Sequence, residues 1–294
     1  MPELPDVTVY IDCLKPRLLG HEVRGARALN PFVLRTVAPP LSAAVGQAVR
    51  SVSRLGKRII IGTEGELYIV VHLMIAGRLR WREDGKKIGG KLAQASLDFD
   101  GGTLYLTEAG SKRRASIHVV EGAESLAQFD RGGLEVLDAD VAEFAARLRS
   151  ENHTLKRSLT DPRLFSGIGN AYSDEILHGA RLSPLMLTSR LTDEQVETLF
   201  AATKSTLIDW TNRLRAEVGD GFPEKVTAFR EGMAVHGRYN LPCPVCSAPV
   251  QRIRYADNET NYCARCQTGG RLLADRAMSR LLKQDWPRSI DEVE

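Results

Sequence analysis

Cys243-Pro244-Val245-Cys246 and Cys263-Ala264-Arg265-Cys266 are two C-x-x-C pairs separated by sixteen residues. At this spacing two knuckles converge tetrahedrally on one zinc ion, and the chain between them has to fold back on itself. Residues 250–262 are therefore predicted to form a β-hairpin, to which Arg252, Arg254 and Arg265 give positive character. Four thiolates leave no open coordination position, so one structural Zn2+ is expected on Cys243, Cys246, Cys263 and Cys266 rather than a catalytic one. A redox pair is the remote alternative. The fifth cysteine, Cys13, stands apart in a helix-like segment, and a set used this way points to a reducing compartment.

At 294 residues the chain has room for about two domains. Forty Lys and Arg against 37 Asp and Glu leave a net charge of +3, which by itself does not announce a nucleic-acid binder. The longest apolar run, residues 67–76, is interrupted by His72 and falls short of the ~20 residues of a membrane span. No signal peptide is read ahead of it. A soluble, cytoplasmic protein is expected.

Near the start, Pro5 and Asp6 suit a first helical turn, and Val7, Ile11, Leu14 and Leu18 share one face; Pro16 is expected to kink or end that helix. From His21 to Val120 the pattern becomes β-rich. Strands are predicted at 49–54, 58–62, 67–73, 95–99 and 104–107, with a hairpin turn at Asp100-Gly101-Gly102. A β-sandwich or barrel carrying the N-terminal helix follows. Lys57 stands at a strand entrance, either aimed into a cleft or an ordinary hairpin lysine. His72, inside an apolar strand, reads equally as a core histidine or a phosphate contact. Lys112-Arg113-Arg114 is a dense basic run that could reach a nucleic-acid groove or form a solvated face.

Beyond Gly132-Gly133 the period moves towards 3.6. Val141, Phe144, Ala145 and Leu148 form one stripe, and Thr192 to Gln195 is a capping box opening a long helix. Between them, Gly167-Ile168-Gly169 runs into Asn170 and a new helix, a turn whose backbone N–H groups can bind a phosphate. The third glycine of a dinucleotide fingerprint is absent, which rejects a Rossmann site. Leu272, Leu273, Leu281 and Leu282 suggest an amphipathic helix within residues 271–286, packed against the ribbon.

The first residues are Met1-Pro2-Glu3-Leu4-Pro5-Asp6. A small second residue commonly permits removal of the initiator methionine, which makes proline the N-terminus. A prolyl amine is secondary, so its adduct with a sugar aldehyde carbon is a charged iminium that invites elimination. An α-amine also ionises roughly two to three units below lysine. Glu3 could supply the proton transfers; the plainer alternative is a leader stiffened by two prolines.

Taken together, the proline-glutamate start, Gly56-Lys57, the turn at 167–170 and the four-cysteine ribbon resemble the formamidopyrimidine-DNA glycosylase and endonuclease VIII family. The resemblance runs from Pro2 to about Gln267, and Leu4-Pro5 after Glu3 is similar to the formamidopyrimidine branch. It implies an α+β fold: an N-terminal helix plus β-sandwich domain (1–125), a helical helix-two-turn-helix domain (126–235), and a zinc ribbon with C-terminal helix (236–294). It implies double-stranded DNA with damaged bases or abasic sites as the partner, a base flipped out of the stack, and a bacterial-type, nucleoid-associated monomer. Pro2 would be the Schiff-base nucleophile at C1′, Glu3 the acid that opens the sugar ring, and Lys57 a contact to the damaged nucleotide. Lys156 and Asn170 would grip backbone phosphates, His72 aligns with the family's His-Leu pair just before the wedge, and Gly169, Arg252 and Arg254 are further expected DNA contacts.

The departures fall on recognition residues. Ile75 stands at the wedge, Lys112-Arg113-Arg114 replace an arginine-phenylalanine loop, and Asn258 replaces the ribbon arginine five residues before Cys263. The expectation is a bifunctional glycosylase and abasic-site lyase acting on oxidised or ring-opened purines by β,δ-elimination. The alternatives are a same-fold enzyme for oxidised pyrimidines and a damage-binding protein without catalysis.

Overall fold

Glu3 caps the first helix, α1 (Leu4–Leu18). Asp6 closes the turn by accepting the Glu3 N–H at 2.9 Å, and Pro5 sits in the first turn, where its missing N–H costs nothing. The predicted face of Val7, Ile11, Leu14 and Leu18 is buried. The helix does not stop at Pro16 but continues to Leu18. So near its C-terminus a proline has little helix left downstream to disrupt, and Arg17 Nη1 donates to the Cys13 carbonyl at 2.7 Å in the same stretch.

The computed structural model describes residues 1–83, 86–110, 112–255, 258–274, 276–285 and 287–292. They form two compact units, residues 1–131 with 210–227, and residues 132–209 with 228–294. The first contains β1 (Gly25–Ala28), β2 (Val49–Leu55), β3 (Arg58–Thr63), β4 (Leu67–His72), β5 (Gly77–Glu83), β6 (Ala93–Phe99), β7 (Gly102–Glu108) and β8 (Ser116–Glu121). Two four-stranded antiparallel sheets result, in the orders β1-β6-β7-β5 and β2-β3-β4-β8. This is the expected helix-plus-sandwich arrangement.

Ile59, Ile61, Ile69 and Val71 of one sheet and Leu79, Leu97, Leu104 and Leu106 of the other share a core with Val7, Tyr10 and Leu14 of α1. Ile60 and Val70 point the other way, onto Val120 and Phe129. Because both faces of β3 and β4 are covered, these strands read as unbroken apolar runs rather than as alternation. Strands β1, β5 and β8 were not individually expected. In β5 the charge that hides the strand is neutralised from afar, since Arg80 and Arg82 pair with Glu224 at 3.0 and 2.6 Å.

The second unit holds α2 (Val141–Arg149), α3 (Leu155–Thr160), α4 (Asn170–Gly179) and the start of α5 (Asp193–Val218). The capping box of α5 is reciprocal: Gln195 N–H donates to Thr192 Oγ1 at 3.2 Å, and Thr192 N–H to Gln195 Oε1 at 3.1 Å. The ribbon hairpin is β9 (Gln251–Tyr255) and β10 (Asn258–Tyr262), followed by α6 (Ala264–Thr268) and α7 (Arg276–Leu282).

The tail departs from the expected helix. Leu272 and Leu273 precede α7 in irregular chain and bury themselves with Ile253, Tyr262 and Ile290, and the Leu273 N–H donates to the Tyr262 hydroxyl. Leu281 is 74 % exposed. The four leucines therefore do not form one helical stripe, although the tail does pack on the ribbon; Trp286 lies outside the described residues. No helix among the described residues is long and apolar enough to cross a membrane.

Candidate functional site

In the first unit, α1 draws the chain start inward: Pro2 is buried and Glu3 is 2 % exposed. Burial pushes the terminal amine, carried by Met1 in the structure, below its ordinary value; Glu3 and Asp6 oppose that shift while Arg78 and Lys57 reinforce it. A desolvated amine beside a carboxylate and two cations is equipped for nucleophilic attack, proton transfer and stabilisation of developing negative charge.

Lys57 occupies the two-residue turn Gly56-Lys57 between β2 and β3, closed by the Leu55–Arg58 pair, with Gly56 at φ +59°. It is half-buried rather than a fully exposed hairpin lysine. His72, opposite Arg58 on β4, is held down to about 4 by burial, with Arg58, Lys57 and His118 adding to the effect. At neutral pH it is an uncharged imidazole.

Ile75 sits 59 % exposed in the turn between β4 and β5, where Met74 adopts φ +52°. Gly77 closes this turn through its N–H to the Leu73 carbonyl, and a Cβ there would lie 2.3 Å from that oxygen. Arg78 braces the same turn, donating to the carbonyls of Ile75, Gly77 and Val226. Lys112, Arg113 and Arg114 are exposed beyond β7. Glu108, itself 2 % exposed, accepts the backbone N–H groups of Arg114 and Ala115 at 2.9 to 3.2 Å, fixing where that basic run ends.

In the second unit, Gly167 takes φ +78° and Gly169 caps α4, so the predicted glycine turn leads into a helix N-terminus. Asn170 uses its amide on the ribbon, donating to the Glu259 carbonyl at 3.0 Å. Lys156 is turned inward. Its ammonium lies 2.5 Å from Asp174 Oδ1 and 2.7 Å from the Asn170 carbonyl, and the other Asp174 oxygen meets His236 Nδ1 at 2.8 Å. Glu175 accepts three successive backbone N–H groups, from Ala234, Val235 and His236.

On the ribbon, Arg252 stacks 3.9 Å over the Tyr239 ring and pairs with Glu259 at 3.6 Å. Arg254 is exposed opposite Glu259, and Asn258 is exposed at the start of β10. Arg265 pairs with Asp291 instead.

The four cysteine sulfurs lie within 4.8 Å of one another, with Cys243 to Cys266 at 3.9 Å and Cys246 to Cys263 at 3.3 Å. Sulfurs around a tetrahedral zinc stand ~3.8 Å apart, so the cluster fits the ion. Burial pushes the Cys263 thiol up and the Cys266 thiol to about 11. Thiolates packed this closely need a cation among them. The donor set fits one structural zinc.

Residues that sequence reasoning passed over are Arg78, Glu108, Asp174, Glu175, His178 and His236. Asp174 and His178 follow Asn170 at steps of four, a helical period that marks one face, but the partners they meet there, His236 and Cys243, lie more than sixty residues away.

Comparison with known proteins bears on every part of this arrangement. Residues 1–114 match the formamidopyrimidine-DNA glycosylase N-terminal domain, residues 133–212 the formamidopyrimidine-DNA glycosylase H2TH domain, and residues 240–269 the zinc finger found in FPG and IleRS. A formamidopyrimidine-DNA glycosylase of Thermus thermophilus is 32 % identical over 285 residues, covering 92 % of this chain and 100 % of the relative. An uncharacterised formamidopyrimidine-DNA glycosylase-like protein of Mycobacterium tuberculosis is 43 % identical over 151 residues, 51 % of this chain and 94 % of its own. The crystal structure of the MutM (Fpg) protein of Thermus thermophilus superposes with a TM-score of 0.75 at 30 % identity, covering 90 % of this chain and 98 % of that one.

Proposed function

The chain belongs to the formamidopyrimidine-DNA glycosylase family, and from that premise we propose that it is a base-excision repair enzyme that removes oxidised or ring-opened purines from double-stranded DNA and then cleaves the abasic strand. The observation that carries this reading is the burial of Pro2 and Glu3 together at the start of α1, where the charges of Lys57 and Arg78 bear on the chain terminus.

With Met1 removed, the Pro2 nitrogen attacks C1′ as the bond from C1′ to the base breaks; the base leaves with that electron pair and takes up the proton that the Pro2 nitrogen sheds on bonding. Glu3 gives a proton to the ring oxygen, which opens the sugar and leaves an iminium between Pro2 and C1′. The iminium acidifies C2′–H. Loss of that proton expels the 3′ phosphate, and a second elimination expels the 5′ phosphate. Lys57 and neutral His72 contact the phosphates that carry away negative charge.

The remaining residues hold the duplex. Ile75 at its exposed turn is the wedge into the stack, and Lys112, Arg113 and Arg114 face the strand opposite. Gly169 and Asn170 offer a helix N-terminus to a phosphate, with Arg252, Arg254 and Asn258 on the ribbon. Lys156, held by Asp174, fixes the backbone of Asn170 and reaches a phosphate only by exchanging that partner. By motif the chain divides at 1–125, 126–235 and 236–294. A DNA substrate places the protein with the nucleoid in the cytoplasm, and one monomer carries all of these residues.

Borohydride trapping tests the chemistry, because an iminium reduces to a stable amine. Protein that begins at Pro2 is expected to form a covalent adduct with a duplex containing an abasic site, and protein retaining Met1 is not. Absence of an adduct from the correctly processed protein refutes the lyase step.

A further inference from the structure

α4 carries a histidine that the reaction does not use. His178 lies in the last turn of that helix, 6 % exposed, and its Nε2 stands 3.3 Å from the sulfur of Cys243. Four thiolates around one dication leave about two units of negative charge on the sulfurs, and N–H donors aimed at sulfur offset it. Backbone donors are in place: Val245 N–H reaches Cys243 Sγ at 3.5 Å, Cys266 N–H reaches Cys263 Sγ at 3.5 Å, and the Ala248 backbone bonds Cys246. Once Cys243 is a thiolate it has no proton to give, so the contact with His178 has one possible direction, from Nε2–H to sulfur.

We propose that His178 is an outer-sphere partner of the zinc site, donating to the Cys243 thiolate and so tying the metal to α4. The consequence reaches the other end of the helix. Asn170, eight residues earlier and about 12 Å away along the axis, starts the same face and bonds the ribbon strand β10 through the Glu259 carbonyl. Asp174, midway, holds His236 on the segment leading into the ribbon. One face of α4 thus meets the ribbon at three successive turns, and the metal-side contact is the one made by His178. This inference rests on the zinc site and stands apart from the DNA reading.

The test uses full-length protein loaded with zinc, in competition with a chromophoric chelator. His178→Phe keeps the ring volume and removes the donor; it is expected to bind zinc about 10- to 100-fold more weakly, with His178→Gln recovering part of the loss. In cobalt-substituted protein the thiolate-to-metal charge-transfer band is expected to move to longer wavelength in His178→Phe, because the sulfur lone pairs lose a stabilising proton. The native protein supplies a measurement that no folding defect can confuse: with cadmium-113 in the site, the metal should show scalar coupling to the proton on His178 Nε2. Unchanged zinc affinity with an unmoved band in folded His178→Phe, or no such coupling in the native protein, overturns the proposal. So does a native cobalt spectrum showing three sulfurs and one nitrogen, which would make His178 a direct ligand.

Discussion

Asp174→Asn isolates the buried ion pair under α4. The Asp174 side chain is 0 % exposed and that of Lys156 is 11 % exposed, so solvent screens their attraction little. Asp174 offers two acceptor oxygens to two partners, Lys156 Nζ and His236 Nδ1. Asparagine has the same shape but one acceptor and an NH2 group, so one partner faces a donor. If His236 adapts by changing tautomer and accepts from the new NH2 group, the Lys156 ammonium is left with neutral oxygens only, that of the substituted amide and the Asn170 carbonyl. Removing one partner of a buried pair costs about 3 to 5 kcal/mol, equivalent to at least ~100-fold in an opening equilibrium. Hydrogen exchange of the α4 amides is the assay, because it reads the second unit without assuming that the whole chain unfolds in one step. Protection should fall by that factor in Asp174→Asn, and Lys156→Met with Asp174→Leu should cost less than the sum of the two single changes. A loss under about 1 kcal/mol would refute the claim that this pair is buried and interdependent.

Acid should destabilise the first unit through His72. Its folded pKa, about 4, lies below the ordinary 6.5, so the unfolded chain binds more protons, and stability falls as pH drops from about 6.5 to about 4, by up to about 3 kcal/mol. His72→Gln should flatten that part of a pH series of urea midpoints, and an unchanged slope would exclude His72 as the cause. Chelation of zinc should erase exchange protection at Ile253 and Thr260 of the ribbon while leaving Ile61 and Val71 of the sandwich protected; ribbon amides that stay protected after chelation would count against a metal-dependent hairpin. Asn258→Arg should add roughly one phosphate contact and steepen the dependence of log K on log salt by about 0.9. A slope that does not move would mean that another cation already fills that place.

Local signals were the legible ones. The turns at Gly56-Lys57 and Asp100-Gly101, the capping box of α5 and the cysteine knuckles each complete their chemistry within a few residues, so spacing alone exposes them. Strand β5 was hidden because its arginines find Glu224 more than 140 residues later. The burial of Asp174 and Glu175 was equally hidden, since acidic residues on a helix read as solvated unless the donors from 234–236 are known. The tail misled for the converse reason: four leucines near helical spacing are divided between an irregular anchor on the ribbon and an exposed turn of α7. Residues 210–227, which begin with the C-terminal part of α5, pack with the sandwich, a placement that no periodicity encodes.

Among the described residues, Glu108 holds the loop after β7 by main-chain N–H groups, those of Arg114 and Ala115. At Arg114, whose side chain is exposed, such an anchor is blind to side-chain identity and forbids only proline, which lacks the hydrogen, whereas Ala115 is also held by burial in the core. The amino acids at 112 to 114 can therefore be exchanged during evolution, or in a library, without loosening the point at which the loop rejoins the sheet. The architecture separates what the loop says from where it says it, which makes this short stretch the place to look for divergence among otherwise similar chains.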